Sequence, residues 1–224
     1  MINVNIIVWS DFTSPASYLA QVRLQHVIKA LNLNDKVNYQ VRAFQINPNA
    51  STEAVETNAA KLALAKDITL AKAQQYFERW KKQGQAEGIS VEAGYAYAIN
   101  TLAAHRLVAW IQSVEHDNAK TEALVDGIFK AEFAENKNIS DHQVLLDIVK
   151  KLGFDVAAAQ EVLTTSAYRE DVLNQEASFR DLGSYQVPVI IINQKVLEGL
   201  QPRQAYARAL DPKAGEFVDD YLIK

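Results

Sequence analysis

Hydrophobic periodicity switches twice along this 224-residue chain, and the order of the switches limits the folds open to it. Residues 3–9 form a β-branched and aromatic run with no helical spacing, which predicts a buried strand. After Asp11-Phe12-Thr13-Ser14-Pro15, apolar residues return at helical spacing: Tyr18-Leu19-Ala20, Val22, Leu24, Val27-Ile28 and Leu31. Ser14 suits the N-cap and Pro15 the first helical position, where a missing N–H costs nothing. Val37, Tyr39, Val41 and Ala43 then alternate with polar residues, as a half-buried strand does. The chain therefore opens β-α-β, long enough for a parallel crossover.

From about residue 50 to 165 the pattern is helical. Leu70, Ala73, Phe77 and Trp80 form one apolar stripe, and Leu124, Ile128 and Ala131 another. Ser140 with Gln143 reads as a capping box ahead of Val144, Leu145, Ile148, Val149 and Leu152, with Gly153 closing that helix. Lys81-Lys82 and Lys150-Lys151 are expected at helix ends, where cations suit the dipole. The pattern then reverts. A helix through Phe179 and Leu182 stops at Gly183, and Val187-Pro188-Val189-Ile190-Ile191-Ile192 reads as a strand. Asn193-Gln194-Lys195 turns it into Val196-Leu197-Glu198, and Pro202 begins a last helix through Ala205 and Leu210. The layout β-α-β, helical insert, α-β-β-α is a thioredoxin-like α/β fold with an inserted all-helical domain. The expected division is 1–48 and 166–224 for the thioredoxin-like part and 49–165 for the insert.

Cysteine is absent. The chain therefore has no side chain able to form the mixed disulfide through which thiol–disulfide exchange proceeds. Thiolate metal sites and structural disulfides are excluded with it. His26, His105, His116 and His142 show no metal-ligand spacing, so no metal is expected. With 23 basic and 27 acidic residues the net charge is −4, which gives no global attraction to nucleic acid or anionic membrane. The first residues lack the basic start and apolar run of a signal peptide, and no apolar stretch nears the roughly 20 residues of a membrane span. A cytoplasmic protein that engages neither nucleic acid nor membrane is the expectation.

Several blocks, in order, resemble the DsbA-like superfamily. They are Ser10-Asp11-Phe12-Thr13-Ser14-Pro15-Ala16-Ser17-Tyr18-Leu19-Ala20, Phe44-Gln45-Ile46-Asn47-Pro48 and Asn100-Thr101-Leu102-Ala103-Ala104-His105-Arg106-Leu107. Phe129-Lys130-Ala131-Glu132-Phe133, Asn138-Ile139-Ser140-Asp141, Val187-Pro188-Val189 and Gly199-Leu200-Gln201-Pro202 continue the series. The body resembles the FrnE-type branch, whose members carry Cys-Pro-x-Cys where this chain has Ser14-Pro15-Ala16-Ser17. That serine motif is similar to 2-hydroxychromene-2-carboxylate isomerases and kappa-class glutathione transferases, in which a serine at the Ser14 position holds the thiolate of glutathione.

The resemblance implies Ser14 as the principal site residue with Ser17 secondary, and glutathione as the cofactor. It implies a cis Pro188 opposite the start of the Ser14 helix, with the backbone of Val187 pairing to a thiol peptide. Asn47 and Gln201 are further candidates for polar contact. Read from the residues alone, Ser14 is equally an ordinary N-cap, Pro188 a trans proline at a strand edge, Asn47 a turn former and His105 a core histidine. Kappa-type relatives carry a Ser-Asp or Gln-Asp pair for the γ-glutamyl end, and Gly199-Leu200-Gln201-Pro202-Arg203 lacks its acidic member. Three functions follow from the resemblance. One is a glutathione- or thiol-dependent isomerase or transferase, acting on a small-molecule partner, in a homodimer like the serine-bearing relatives. Another is a redox-inactive module that binds a peptide or small ligand. The third is a disulfide oxidoreductase with both cysteines replaced by serine.

Overall fold

Strands β1 (Val4–Ser10) and β2 (Val37–Ala43) run parallel, in register from Val4 opposite Val37 to Ser10 opposite Ala43, with helix α1 (Pro15–Ala30) crossing between them. This computed structural model describes residues 4–184 and 186–213. Asn3, the first residue of the predicted opening strand, lies outside them. Strand β3 (Val189–Ile192) pairs antiparallel with the other side of β1, and β4 (Lys195–Glu198) pairs antiparallel with β3. The sheet order is β2-β1-β3-β4. The β3–β4 turn is the two-residue kind, with positive φ at Asn193 and Gln194, the backbone that suits the twist of a tight hairpin.

Between β2 and β3 lie α2 (Asn58–Lys66), α3 (Leu70–Ala86), α4 (Leu102–Glu115), α5 (Asn118–Phe133), α6 (His142–Lys151), α7 (Val156–Thr164) and α8 (Arg169–Asp181); α9 (Arg203–Leu210) follows β4. Side chains alternate across β1, so Val4, Ile6 and Val8 enter the main core with α1, α4, α5 and α9. Trp9 points to the other face and packs with Phe44, Val189 and Phe179 of α8. The main core holds an aromatic stack in which Tyr18 lies 4.9 Å from Phe129, centroid to centroid, with rings nearly parallel. Such pairs add about 0.5–1.5 kcal/mol beyond burial. Tyr18 is thus a core residue that fixes α1 to α5.

Four local readings change. The N-cap of α6 is Asp141, whose carboxylate accepts from the Gln143 N–H at 2.8 Å. Ser140 lies one residue earlier, buried, its hydroxyl donating to the Asn100 carbonyl. A carboxylate in the next position is the stronger competitor for the helix start. Lys81-Lys82 fall inside α3, which continues to Ala86, whereas Lys150-Lys151 do occupy the last turn of α6. Leu70 is 54% exposed, so Ala73, Phe77 and Trp80 carry that helix's contacts. Strand β3 begins at Val189, leaving Val187 and Pro188 as irregular backbone ahead of it. Among the described residues no helix is long and apolar enough to cross a membrane, and no group of three His, Asp or Glu side chains could hold a metal.

Candidate functional site

The end of β1 delivers the chain into a tight loop and then directly into α1. Ser14 has extended backbone, its N–H donates to the Asp11 carbonyl at 3.0 Å, and its Oγ accepts from the Ser17 N–H at 3.1 Å. The cap uses an oxygen lone pair, so the Ser14 O–H hydrogen stays available to a second partner. Pro15 has no N–H, and the Ala16 N–H pairs with no other described residue. Ser14 is 6% exposed, so its side chain is largely buried but keeps some contact with the surface. Ser17 is 1% exposed and its hydroxyl has no hydrogen-bond partner among the described residues. Its hydroxyl is enclosed within the protein.

Trp9 pairs with Val189, and this register carries Pro188 and Val187 to the same end of the sheet as the Ser14 loop. The Val187–Pro188 peptide bond is cis. The Pro188 carbonyl accepts from the Gly199 N–H at 2.8 Å. The backbone N–H and C=O of half-buried Val187 pair with no other described residue. Ser14 and Val187 thus offer polar groups at the same end of the sheet.

The remaining candidates are otherwise engaged. Asn47 is exposed, and its side-chain oxygen accepts from the Asn49 N–H at 3.2 Å, the work of a turn former. Gln201 turns its amide back to the Glu198 carbonyl at 2.5 Å, while its own N–H donates to the Tyr206 hydroxyl. Arg203 is drawn to Glu87 and His26. Arg106 is buried, and its guanidinium donates to the carbonyls of Val162, Thr165 and Ala167, closing the C-terminal end of α7.

Three buried residues near the mouth give no joint signal in the sequence: Asp11 and Glu132 stand inside family-like blocks, and His105 reads as a core histidine. Asp11 Oδ2 accepts from the Ile46 N–H at 2.7 Å and from Thr13 Oγ1 at 3.1 Å, and Oδ1 accepts from the Thr13 N–H at 3.3 Å. His105 Nε2 faces Oδ1 at 3.6 Å, an ion-pair distance. Burial alone would raise the Asp11 pKa; His105, with the Ile46 N–H and Thr101, more than offsets this and holds it below the ordinary 3.8. Asp11 therefore fastens the β1–α1 loop to the β2–α2 loop and to the helical insert. Glu132 on α5 lies beside this group, its oxygens without hydrogen bonds to described residues. Burial, then the charge of Asp11, pushes its pKa well above 4.5, with the nearby Tyr97 N–H acting the other way. Isolated acids and a lone histidine give no sequence signal for such a cluster, because its members come from three separate elements.

A four-stranded sheet of this order, with a helix starting directly after β1 and a run of helices between β2 and β3, defines a thioredoxin-like protein with a helical insert. The chain belongs to the DSBA-like thioredoxin domain family, whose pattern matches residues 5–211. It is similar to the YwbO protein of Bacillus subtilis (strain 168), 22% identical over 209 residues, which cover 92% of this chain and 96% of YwbO. In three dimensions it resembles a probable DsbA oxidoreductase from Streptomyces coelicolor, with TM-score 0.84, 24% identity and coverage of 96% of this chain and 91% of that one. A 2-hydroxychromene-2-carboxylate isomerase aligns with TM-score 0.67 and 18% identity over 96% and 97% of the two chains. A cytosolic disulfide reductase, DsbM of Pseudomonas aeruginosa, determined with GSH, aligns with TM-score 0.62 and 14% identity over 98% and 100%.

Proposed function

We propose that this protein binds a small thiol of the glutathione class and uses its sulfur, in place of an intrinsic cysteine, as the nucleophile of an isomerase- or transferase-type reaction. One observation carries the reading: the Ser14 Oγ caps α1 through a lone pair and keeps its hydrogen for a guest at the helix mouth. A thiolate there receives the Ser14 O–H, the Ala16 N–H and the positive end of the helix dipole, all of which favour the ionised form. The backbone groups of Val187, which pair with no described residue, suit an extended thiol peptide, in the manner of an added strand. The isomerase and the GSH-bearing reductase among the structural neighbours are consistent with such a ligand. The test is a thermal-shift titration with reduced glutathione: binding to the folded state alone raises Tm by mass action. Ser14→Ala is expected to raise the pKa of the bound thiol by about one unit.

A second reading has its own support. The side chains of Arg203 and Gln201 are committed elsewhere, so the end of the site where the γ-glutamyl group would lie is poorly furnished with free polar groups. This favours a redox-inactive module that takes a peptide or another small ligand at Ser14 and Val187. Absence of a Tm rise at millimolar glutathione, together with absence of thiol-dependent activity, would select it.

A further inference from the structure

Near Ser14, three titratable side chains are buried almost without solvent: Asp11, His105 and Glu132, exposed by 1%, 2% and 0%, with Glu132 near enough for the Asp11 charge to act on it. They come from the β1–α1 loop, α4 and α5. Phe12 packs against His105 and against Phe129, 4.9 Å from each ring, centroid to centroid, and helps to cover this side of the group. Two carboxylates this deep cannot both ionise against one imidazole without leaving net negative charge in a low dielectric. Asp11 is equipped to stay charged, since it accepts from Ile46 and Thr13 and faces His105 Nε2 at 3.6 Å. Glu132 has only the nearby Tyr97 N–H to favour its charged form. An unbalanced Asp11 charge, three residues before Ser14 and joined to it by the 3.0 Å backbone hydrogen bond, would oppose any anion at the helix mouth.

We propose that His105 is the positioning residue that balances Asp11, so that the Ser14 mouth stays receptive to an anion, with Glu132 taking no part in that balance. The inference rests on reading Ser14 as an anion-holding group, but not on glutathione being the guest. The burial that raises the pKa of Glu132 favours its uncharged form.

The experiment uses the full chain with Ser14→Cys, which sets a thiol at the mouth and needs no ligand. Its ionisation is followed by thiolate absorbance against pH. Adding His105→Gln is expected to raise that thiol pKa by about one unit, a tenfold loss of thiolate at a fixed pH below it. Adding Asp11→Asn as well is expected to cancel the rise, because the charge needing balance has gone. A purely structural role for His105 against Phe12 would leave the rise in place. Glu132→Gln, nearly isosteric, is expected to leave the thiol pKa unchanged. An unmoved pKa in His105→Gln, a rise that persists with Asp11→Asn, or a clear fall in Glu132→Gln each overturns the proposal. Cooperative melting checks that each variant is folded; if Asp11→Asn does not fold, the His105 and Glu132 variants still decide. A protein that passes yet shows no thermal shift with glutathione loses the glutathione reading and keeps this one.

Discussion

Gln112 on α4 grips Val41 on β2 with both ends of its amide: Oε1 accepts from the Val41 N–H at 2.8 Å, and Nε2 donates to the Val41 carbonyl at 2.9 Å. Asn118 does the same one step along, accepting from the Tyr39 N–H and donating to the Val37 carbonyl. Gln175 accepts from the Ala43 N–H and Glu176 from the Gln45 N–H. Side chains of α4, α5 and α8 thereby satisfy the outward groups of alternate residues along what would otherwise be an open edge. Gln112→Leu leaves two such groups unpaired, and is expected to cost about 1–3 kcal/mol. Urea unfolding checks this as a lower midpoint with an unchanged slope.

The two roles of Ser14 separate by substitution. Ser14→Asp keeps an acceptor for the Ser17 N–H and a negative charge at the helix N-terminus, so stability should stay within about 1 kcal/mol of the parent. It removes the hydroxyl donor and repels a thiolate, so any glutathione-induced rise in Tm should vanish. Ser14→Ala should instead lose about 1 kcal/mol of stability through the cap alone. Paired melting curves with and without glutathione distinguish the two.

Glu87, at the C-terminal end of α3, joins Arg23 on α1 and Arg203 on α9, with N–O distances of 2.7 Å and 2.5 Å. Burial opposes its ionisation, but the two guanidinium groups prevail and hold its pKa below the ordinary 4.5. A depressed folded-state pKa contributes stability that is present above the unfolded value and is lost as pH falls through the folded one. Glu87→Gln is therefore expected to cost roughly 1–3 kcal/mol at neutral pH. The difference from the parent should shrink below about pH 4.5, as chemical denaturation across pH would reveal.

Glu132 carries the opposite sign. Its folded-state pKa is raised well above 4.5, chiefly by burial, so the folded protein holds a proton that the unfolded chain releases as pH rises. Its contribution grows less favourable from about pH 4.5 upward, until the folded form also ionises. Glu132→Gln should stabilise the protein at pH 7 and have little effect at pH 4. Denaturation at the two pH values checks the sign.

Much of the scaffold was legible because it is written in local chemistry. Ser14-Pro15 marks a helix start, since one supplies a cap and the other tolerates a missing hydrogen bond. Gly153 and Gly183 mark helix ends because each has φ of +76°, where a side chain would be strained. The N-cap of α6 was misread because Ser140 and Asp141 are both good caps, and burial of Ser140 against Asn100 decided between them. The site was legible only in part. Ser14 could be singled out by its motif, but whether its hydroxyl hydrogen stays free depends on where the Ser17 N–H and the Asp11 carbonyl lie. Nothing in the order of residues says that Arg203 answers Glu87 or that Gln201 folds back on Glu198.

From its residues alone, the chain determined the succession of strands and helices and the impossibility of thiol–disulfide exchange by its own side chains. Those follow from hydrophobic period, capping and the absence of sulfur nucleophiles, each a property of neighbouring residues or of composition. Tertiary structure alone decided that Asp11 faces His105 in the core with Glu132 buried nearby, that Ser17 is buried and that four side chains seal the β2 edge. Each of those relationships joins residues whose separation in sequence carries no energetic preference until the core has brought them within a few ångströms.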